Sequence, residues 1–363
     1  MNTKSLKILE SLAKEASMKG VVKREVSIEA VRRVIRALYR LGIADFWTVT
    51  SNSGEYIIDV FKIMLTLLEK GIVERKDKDM LTLTNKGIQL AQEDLKFKHK
   101  DFFTCKSCSG KTIVIKGKFL EIYKKYSKIV SNRPKVKYEY DQAPIHPQDA
   151  INRMVFLYEK GDLEGKEIIL LGDDDLVSLA ISLTKLPERV AILDVDDELL
   201  SFIKKVSEKE ELNIEVIKHD LRHPLPENLA GSFDVFFTDP PDTLWGLILF
   251  VSRGVESLRK DIRGVGYFCM THADCPLERW RRVLDAVLKM GMVPTDIIHD
   301  FNTYVDLDVS SEDYVTEGIG KYFSPPKAPW YKSSLIRIEK AGELKPYIEG
   351  EMKGEELYDY LLI

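Results

Sequence analysis

Cysteine, long apolar runs and clustered glycine are all scarce in this sequence, and each shortage excludes a class of protein. Four cysteines in 363 residues cannot make a disulfide framework. Cys105 and Cys108 form one C-x-x-C knuckle, but the second pair that a zinc site needs is missing, because five residues separate Cys269 from Cys275. A free dithiol is therefore expected rather than a metal. The alternatives are a four-cysteine site and a knuckle shared between two copies. No stretch approaches the length of apolar residues that spans a bilayer. The start, "MNTKSLKILESLAKEAS", lacks the apolar core and small-residue cleavage site of a secretory signal. A cytoplasmic protein without a membrane partner is expected. Gln and Asn are few beside a 31% charged fraction, a composition common in thermophiles.

Charge is unevenly spread. Residues 1–100 carry 19 Lys+Arg against 13 Asp+Glu, and the remainder 35 against 45. The N-terminal part is mildly basic and the rest acidic. An acidic body attracts cations and repels polyanions, so a nucleic acid is not the expected partner of the C-terminal part.

Periodicity divides the chain into four stretches. In residues 1–95, "SIEAVRRVIRALYRLG" has helical spacing and stops at Gly42. The following "LLEKGIVERKDKDMLTLTNKG" resembles the helix and β-wing of winged-helix domains, used for DNA binding or for packing and dimerisation. Residues 96–147 form a connector with the C-x-x-C knuckle and prolines 134, 144 and 147. Residues 148–345 open with a helix whose apolar face holds Ile151, Met154, Val155 and Tyr158. They then alternate strand and helix: "KEIILLG", "LVSLAISLTK", "RVAILDVD", "ELLSFIKKVSEKE", "IEVIKHD", "FDVFFTDPP", "LWGLILFVSRGVESL", "GVGYFCMT" and "LERWRRVLDAVLKMG". This pattern predicts an α/β, Rossmann-like, methyltransferase-type fold: a mostly parallel sheet with helices on both faces, after a small winged-helix-like α+β domain. Residues 346–363 are an acidic tail, read either as a lid over a cationic substrate or as a solvated end.

Ligands on such sheets bind beyond the carboxyl ends of the strands, which here carry Gly172–Asp175, Asp194–Asp196, Asp220 and Asp239–Asp242. A glycine-rich phosphate turn is absent. The first strand ends in the single Gly172, followed by Asp173, Asp174 and Asp175. Helix N-termini attract anions, and here aspartates already occupy that position. A pyrophosphate would be repelled, so NAD, FAD and ATP are not expected, whereas a nucleoside bearing a sulfonium fits. One aspartate explains a helix cap; three in a row need more. Asp194 lies where a carboxylate accepts ribose hydroxyls, and Asp220 where such sheets read the adenine amino group. Capping is the structural alternative for both.

The motif "FFTDPPDT" adds Asp239, Pro240, Pro241 and Asp242. It resembles the D/N-P-P-aromatic motif of amino-group methyltransferases but lacks the aromatic that stacks on a flat base. Asp242 in its place suits an aliphatic polycationic amine. Together, "LLGDDDLVSLA", "LDVD", "HDLRHPLP" and "FFTDPPDT", with the winged-helix-like start, look like the branched-chain polyamine synthases of thermophilic archaea and bacteria. The resemblance implies transfer of aminopropyl groups from decarboxylated S-adenosylmethionine, as co-substrate, to the central secondary amine of spermidine. The products would be N4-aminopropylspermidine, then N4-bis(aminopropyl)spermidine, with methylthioadenosine released. No tightly bound cofactor is implied, and a homodimer is.

An amine that attacks carbon beside a sulfonium must first lose its proton, which a carboxylate within hydrogen-bond reach can take. The base is expected among Asp173, Asp174 and Asp175, with Asp239 as helper. Gly172, Asp194, Asp220 and Pro240 are expected around the nucleoside. Tyr140, Asp141 and Gln142 in "YEYDQAP", with Asp242, Trp245 and His272, are expected around the amine. Structural roles are the alternative for this last group, for His272 and Trp245 above all. The competing readings are an amino-group methyltransferase acting on nucleic acid and a winged-helix regulator that senses a nucleoside.

Overall fold

The computed structural model describes residues 3–20, 22, 24–102, 105, 107–305, 318–353, 357 and 359. The chain divides into two compact units, and neither is a single continuous segment.

The first unit contains α1 (Thr3–Ser17), α2 (Ile28–Leu41), β1 (Ile43–Asp45), α3 (Phe46–Ser53), α4 (Ile57–Glu69), β2 (Val73–Arg75), β3 (Met80–Leu83) and α5 (Asn85–Gln89). Helix α2 shows why these residues fold locally. The Ser27 side chain accepts the Ala30 N–H at its start, Val31, Val34, Ile35 and Leu38 are buried on one face, and Gly42 ends it at a φ of 76°. The strands form an antiparallel sheet in the order β1-β3-β2. Residues 272–276 and 318–332 also belong to this unit, which the division by chain order had placed wholly with the catalytic stretch. Aromatic packing is the reason. Phe323 stacks on Phe46 at 4.5 Å, Trp330 packs on Trp47 at 4.6 Å, and the Trp47 indole donates to the Ser324 carbonyl at 2.8 Å.

The second unit holds α6 (Lys118–Val130), α7 (Pro147–Glu159), β4 (Glu167–Leu171), α8 (Val177–Ser182), β5 (Arg189–Asp194), α9 (Asp197–Lys209), β6 (Ile214–Lys218), β7 (Val235–Thr238), α10 (Leu244–Ser257), β8 (Val265–Thr271), α11 (Leu277–Lys289), β9 (Met292–Thr303) and β10 (Lys332–Lys340). Its seven-stranded sheet runs β6-β5-β4-β7-β8-β10-β9. The strands β6 to β8 are mutually parallel, and β10 is antiparallel to β8. This is the mostly parallel sheet that the strand–helix alternation predicts, extended by β9 and β10. Ile168–Leu171 and Val235–Thr238 are fully covered, as strands with helices on both faces must be. Gly254 on α10 and Gly266 on β8 are required by close approach, because a Cβ on either would lie 2.2–2.4 Å from the Phe236 ring.

Chain order places the functional edge. From β4 the chain builds outward through β5 and β6, then returns to lay β7 on the other side of β4. The crevice opens where that direction reverses. Leu171 and Thr238 are in register there, and the Thr238 hydroxyl donates to the Leu171 carbonyl at 2.7 Å. The triple aspartate and the D-P-P-D turn leave the sheet side by side. Among the described residues no helix is long and apolar enough to cross a membrane.

Candidate active site

The turn after β4 begins with Gly172 at a φ of 71°, a left-handed conformation that costs a side chain strain. Its three aspartates then point in three directions. Asp173 is buried and accepts the Ser178 N–H at 3.1 Å, closing the start of α8. Asp175 is buried against α7, where Oδ2 accepts from Arg153 Nη1 at 2.5 Å and Oδ1 from the Ile145 N–H at 2.8 Å. Asp174 alone of the three lines a cavity of about 450 Å³ at the carboxyl edge of the sheet, while its Oδ2 accepts the Ala143 N–H at 3.0 Å.

Those bonds draw the 137–145 loop across the strand ends. Gln142 is buried, donates to Asp196 at 2.9 Å and accepts the Lys137 N–H at 2.9 Å. Lys137 Nζ reaches Asp196 at 2.6 Å. The loop so held brings Glu139, Tyr140 and Asp141 to the cavity wall. Asp194, Asp220 and Asp239 line the same cavity. Six carboxylates border one small volume.

Burial raises several carboxylates of the cavity and of the turn behind it. It pushes Asp173 up to about 8 and Asp174 well above the usual carboxylate range, the latter helped by the charges of Asp175 and Asp239. Asp239 rises to about 7, through burial against the pull of Arg153 and with the push of Asp175. Burial also raises Asp194, against the N–H groups of Asp196, Asp173 and Val195. Asp220 moves the other way, held down by the Arg222 guanidinium. A crowd of desolvated carboxylates favours a cationic ligand and can take up protons near neutral pH.

Of the expected site residues, Gly172, Asp174, Asp194, Asp220, Asp239, Tyr140, Asp141 and Gln142 line this cavity. Asp173 and Asp175 lie behind it in the roles just given. Pro240 does not line it, and its neighbour Pro241 does. Asp242 turns away to accept the Thr271 N–H at 3.2 Å, and its carbonyl accepts from Arg279 at 2.7 Å. Trp245 is half-buried on α10 outside the lining. His272 falls in the first unit. Asp194 already accepts the Asp173 and Asp196 N–H groups, one on each oxygen, and each oxygen keeps a second lone pair. Asp220 is engaged in a fork with Arg222 at 2.5 and 2.9 Å. In the tail, Leu357 lines the cavity and accepts the Thr243 hydroxyl at 2.5 Å, and residues 348–352 bond to Ser252, Arg253 and Arg222.

Sequence reasoning missed Arg153, Tyr304 and Phe250. Arg153 is fully buried in α7 and bonds to Asp175, Asp239 and Asn302. One signal was present: an arginine inside the apolar run "INRMVFL" needs buried partners. Tyr304, whose hydroxyl reaches Asp239 at 2.9 Å, had no signal. Of the cysteines, Cys105 is exposed and Cys108 half-buried, and Cys269 and Cys275 are buried. Among the described residues no cluster of three or more His, Cys, Asp or Glu is placed to hold a metal.

The family model described as the branched-chain polyamine synthase A C-terminal domain matches residues 121–360. The N(4)-bis(aminopropyl)spermidine synthase of Methanocaldococcus jannaschii is 35% identical over 91% of this chain and 93% of its own length. The protein of the same name from Thermococcus kodakarensis is also 35% identical, over 91% of this chain and 92% of its own. The crystal structure of the Thermus thermophilus branched-chain polyamine synthase, in complex with N4-aminopropylspermidine and 5'-methylthioadenosine, superposes with a TM-score of 0.85 at 28% identity. It covers 100% of this chain and 99% of its own.

Proposed function

The chain belongs to the branched-chain polyamine synthase family, and from that premise we infer that it moves aminopropyl groups from decarboxylated S-adenosylmethionine to the central amine of spermidine. The chain is then a transferase, giving N4-aminopropylspermidine and, after a second transfer, N4-bis(aminopropyl)spermidine. The observation that carries this reading is the position of Asp174: it alone of the three aspartates lines the cavity, together with Asp239 and the acidic loop 139–141. That wall suits a sulfonium and several ammoniums and repels a phosphate.

The chemistry follows from the charges. Spermidine's central nitrogen arrives protonated and gives its proton to Asp174. Its lone pair then attacks the carbon beside the sulfonium, the C–S bond breaks, and the electron pair stays on sulfur as neutral methylthioadenosine. The new tertiary ammonium gives up its own proton before a second attack, which leaves a quaternary nitrogen. A carboxylate already raised by burial is a better match to an amine's proton than an exposed one. Asp239 holds the amine in line, and Glu139 and Asp141 hold the flanking ammoniums. Asp194 takes the ribose, with Leu193, Val195, Leu249 and Phe250 around the nucleoside. Asp173 and Asp175 shape the turn. The N4-aminopropylspermidine and 5'-methylthioadenosine bound in the Thermus structure support the same pairing of polyamine and thionucleoside. The first unit is read as a packing and dimerisation module, and a cytoplasmic homodimer fits a substrate pool of free polyamines.

The test is direct. Purified protein with spermidine and decarboxylated S-adenosylmethionine should release methylthioadenosine, and mass spectrometry should find first one and then two added aminopropyl groups. Methyl transfer from ordinary S-adenosylmethionine, with no turnover of the decarboxylated donor, would overturn the reading.

A further inference from the structure

Arg153 is a fully buried arginine of the second unit that bonds to a carboxylate of the cavity, and the chemistry proposed above does not use it. It sits in α7 with no exposed surface, over the Phe237 ring at 5.2 Å. Its three nitrogens are all spoken for. Nε donates to Asn302 Oδ1 at 2.7 Å, Nη1 to Asp175 Oδ2 at 2.5 Å and Nη2 to Asp239 Oδ2 at 2.5 Å. Asn302 is fixed in turn by donating to Ser333 Oγ at 2.9 Å and Cys269 Sγ at 3.3 Å. Tyr304 completes the cage, its hydroxyl 2.9 and 3.0 Å from the two oxygens of Asp239 and 2.9 Å from Ser333 Oγ. A planar guanidinium held at its Nε has one orientation, and two carboxylates bonded to its two ends have one separation.

We propose that Arg153, with Tyr304, is a positioning residue for the transfer: the pair locks Asp239 and Asp175 as one rigid unit, so that Asp239 meets the attacking amine in a single orientation. This rests on the aminopropyl-transfer reading and deepens it. The arrangement also fixes charge. Asp239 faces Arg153 from α7, Asp175 and Asp174 from the turn after β4, Cys269 from β8 and Tyr304 from beyond β9. Among these groups Arg153 is the one cation. Without it, Asp239 would face no cation among these groups and hold its proton to higher pH. Tyr304 acts the same way more weakly, because a donated O–H favours the ionised carboxylate.

The experiment compares wild type, Arg153→Met, Arg153→Lys and Tyr304→Phe, using spermidine and decarboxylated S-adenosylmethionine from about pH 6 to pH 9. Arg153→Met should lower kcat on the order of 100-fold and move the acid limb of kcat/KM to higher pH by about one unit. Arg153→Lys, which keeps the charge and loses the fork, should recover the limb but only part of kcat. Tyr304→Phe should lower kcat several-fold and shift the limb in the same direction. A folded Arg153→Met enzyme whose pH profile matches wild type overturns the proposal. If Arg153→Met does not fold, Tyr304→Phe decides: an unmoved acid limb overturns it. If wild type itself turns over no aminopropyl donor, the proposed function falls. The lock is then read without activity, by carbon-13 titration of the Asp239 carboxyl, which Tyr304→Phe should displace upward and which must stay in place if the proposal is wrong.

Discussion

Two acidic turns leave adjacent strands of one sheet, and one aspartate of each, Asp174 and Asp196, is pushed in opposite directions. After β4 the chain reads Gly172-Asp173-Asp174-Asp175, and from the last residue of β5 it reads Asp194-Val195-Asp196-Asp197. In the second turn, burial alone would raise Asp196, yet Lys137, Gln142 and two N–H groups of α9 hold it below its ordinary value. Asp197 lies in solvent with Lys218 at 2.6 Å. The first turn gathers little compensation. Asp173 has N–H bonds, Asp175 has Arg153, and Asp174 has one backbone N–H and a cavity. The same residue type therefore does structural work at one strand end and is left poised at the other. The cause is the supply of cations and N–H groups, which differs over a few ångströms.

The comparison breaks most readily at its extremes. Asp174→Asn is nearly isosteric and should lower kcat by about 10³-fold, within the range for a lost general base. Asp196→Asn removes the ion pair with Lys137 and the negative charge at the start of α9, although Asn still caps the helix. It should cost about 1 kcal/mol of stability and raise the KM for spermidine through the 137–142 loop, with kcat within a few-fold of wild type. Steady-state kinetics and chemical denaturation on both variants decide the matter. Near-normal turnover by Asp174→Asn would remove it as the base, and an equal loss in both variants would erase the distinction between the turns.

Much of this was legible in sequence, for a physical reason. Strands covered on both faces read as unbroken apolar runs, so β4 to β8 and their helices could be placed and the acidic residues assigned to the strand ends. The contrast between the turns was not legible, because it is made by partners distant in the chain. Arg153 meets Asp175 across 22 positions and Asp239 across 86, and Tyr304 meets Asp239 across 65. The same limit explains Asp242, whose position suggested a ligand contact and whose side chain accepts a backbone N–H of β8 across 29 positions. The return of 318–332 to the first unit rests on Phe323 and Trp330, whose partners lie more than half the chain away.

Stability against pH sharpens the contrast next. Asp173, Asp174 and Asp239 have folded-state values above their unfolded ones, at about 8, well raised and about 7. Their contribution is fully present below the unfolded value, near pH 4, and is lost as pH rises through each folded value, which is about 7 for Asp239 and about 8 for Asp173. Asp196 is depressed, so its contribution is present above its unfolded value and lost as pH falls through the folded one. The unliganded protein should thus lose on the order of a few kcal/mol between about pH 5 and pH 8, beyond what its surface charges give. Asp174→Asn should flatten that slope and be more stable than wild type at pH 8. A polyamine bound in the cavity should restore wild type there by supplying cations. Denaturant titrations at both pH values check it. A slope that Asp174→Asn leaves unchanged would mean that Asp174 titrates as an exposed carboxylate does.

Asp197→Asn is the smallest expected effect and the cleanest control. Asp197 is one residue from Asp196 and as acidic by sequence as any of the three aspartates after Gly172. Its side chain is 72% exposed, and so is most of its partner Lys218, at 60%. Two long-solvated charges gain little from pairing, and the charge in the first turn of α9 adds only a modest interaction with the helix dipole. The substitution should change stability by no more than about 0.5 kcal/mol, and kcat/KM by less than about twofold. Because it removes the same unit of charge as Asp174→Asn from the same edge of the sheet, it separates local poise from the general negative field. If Asp197→Asn slowed turnover in proportion to the charge removed, the field of the whole acidic edge would be drawing the polycation in, and the placement of one desolvated carboxylate at the cavity would lose its special standing.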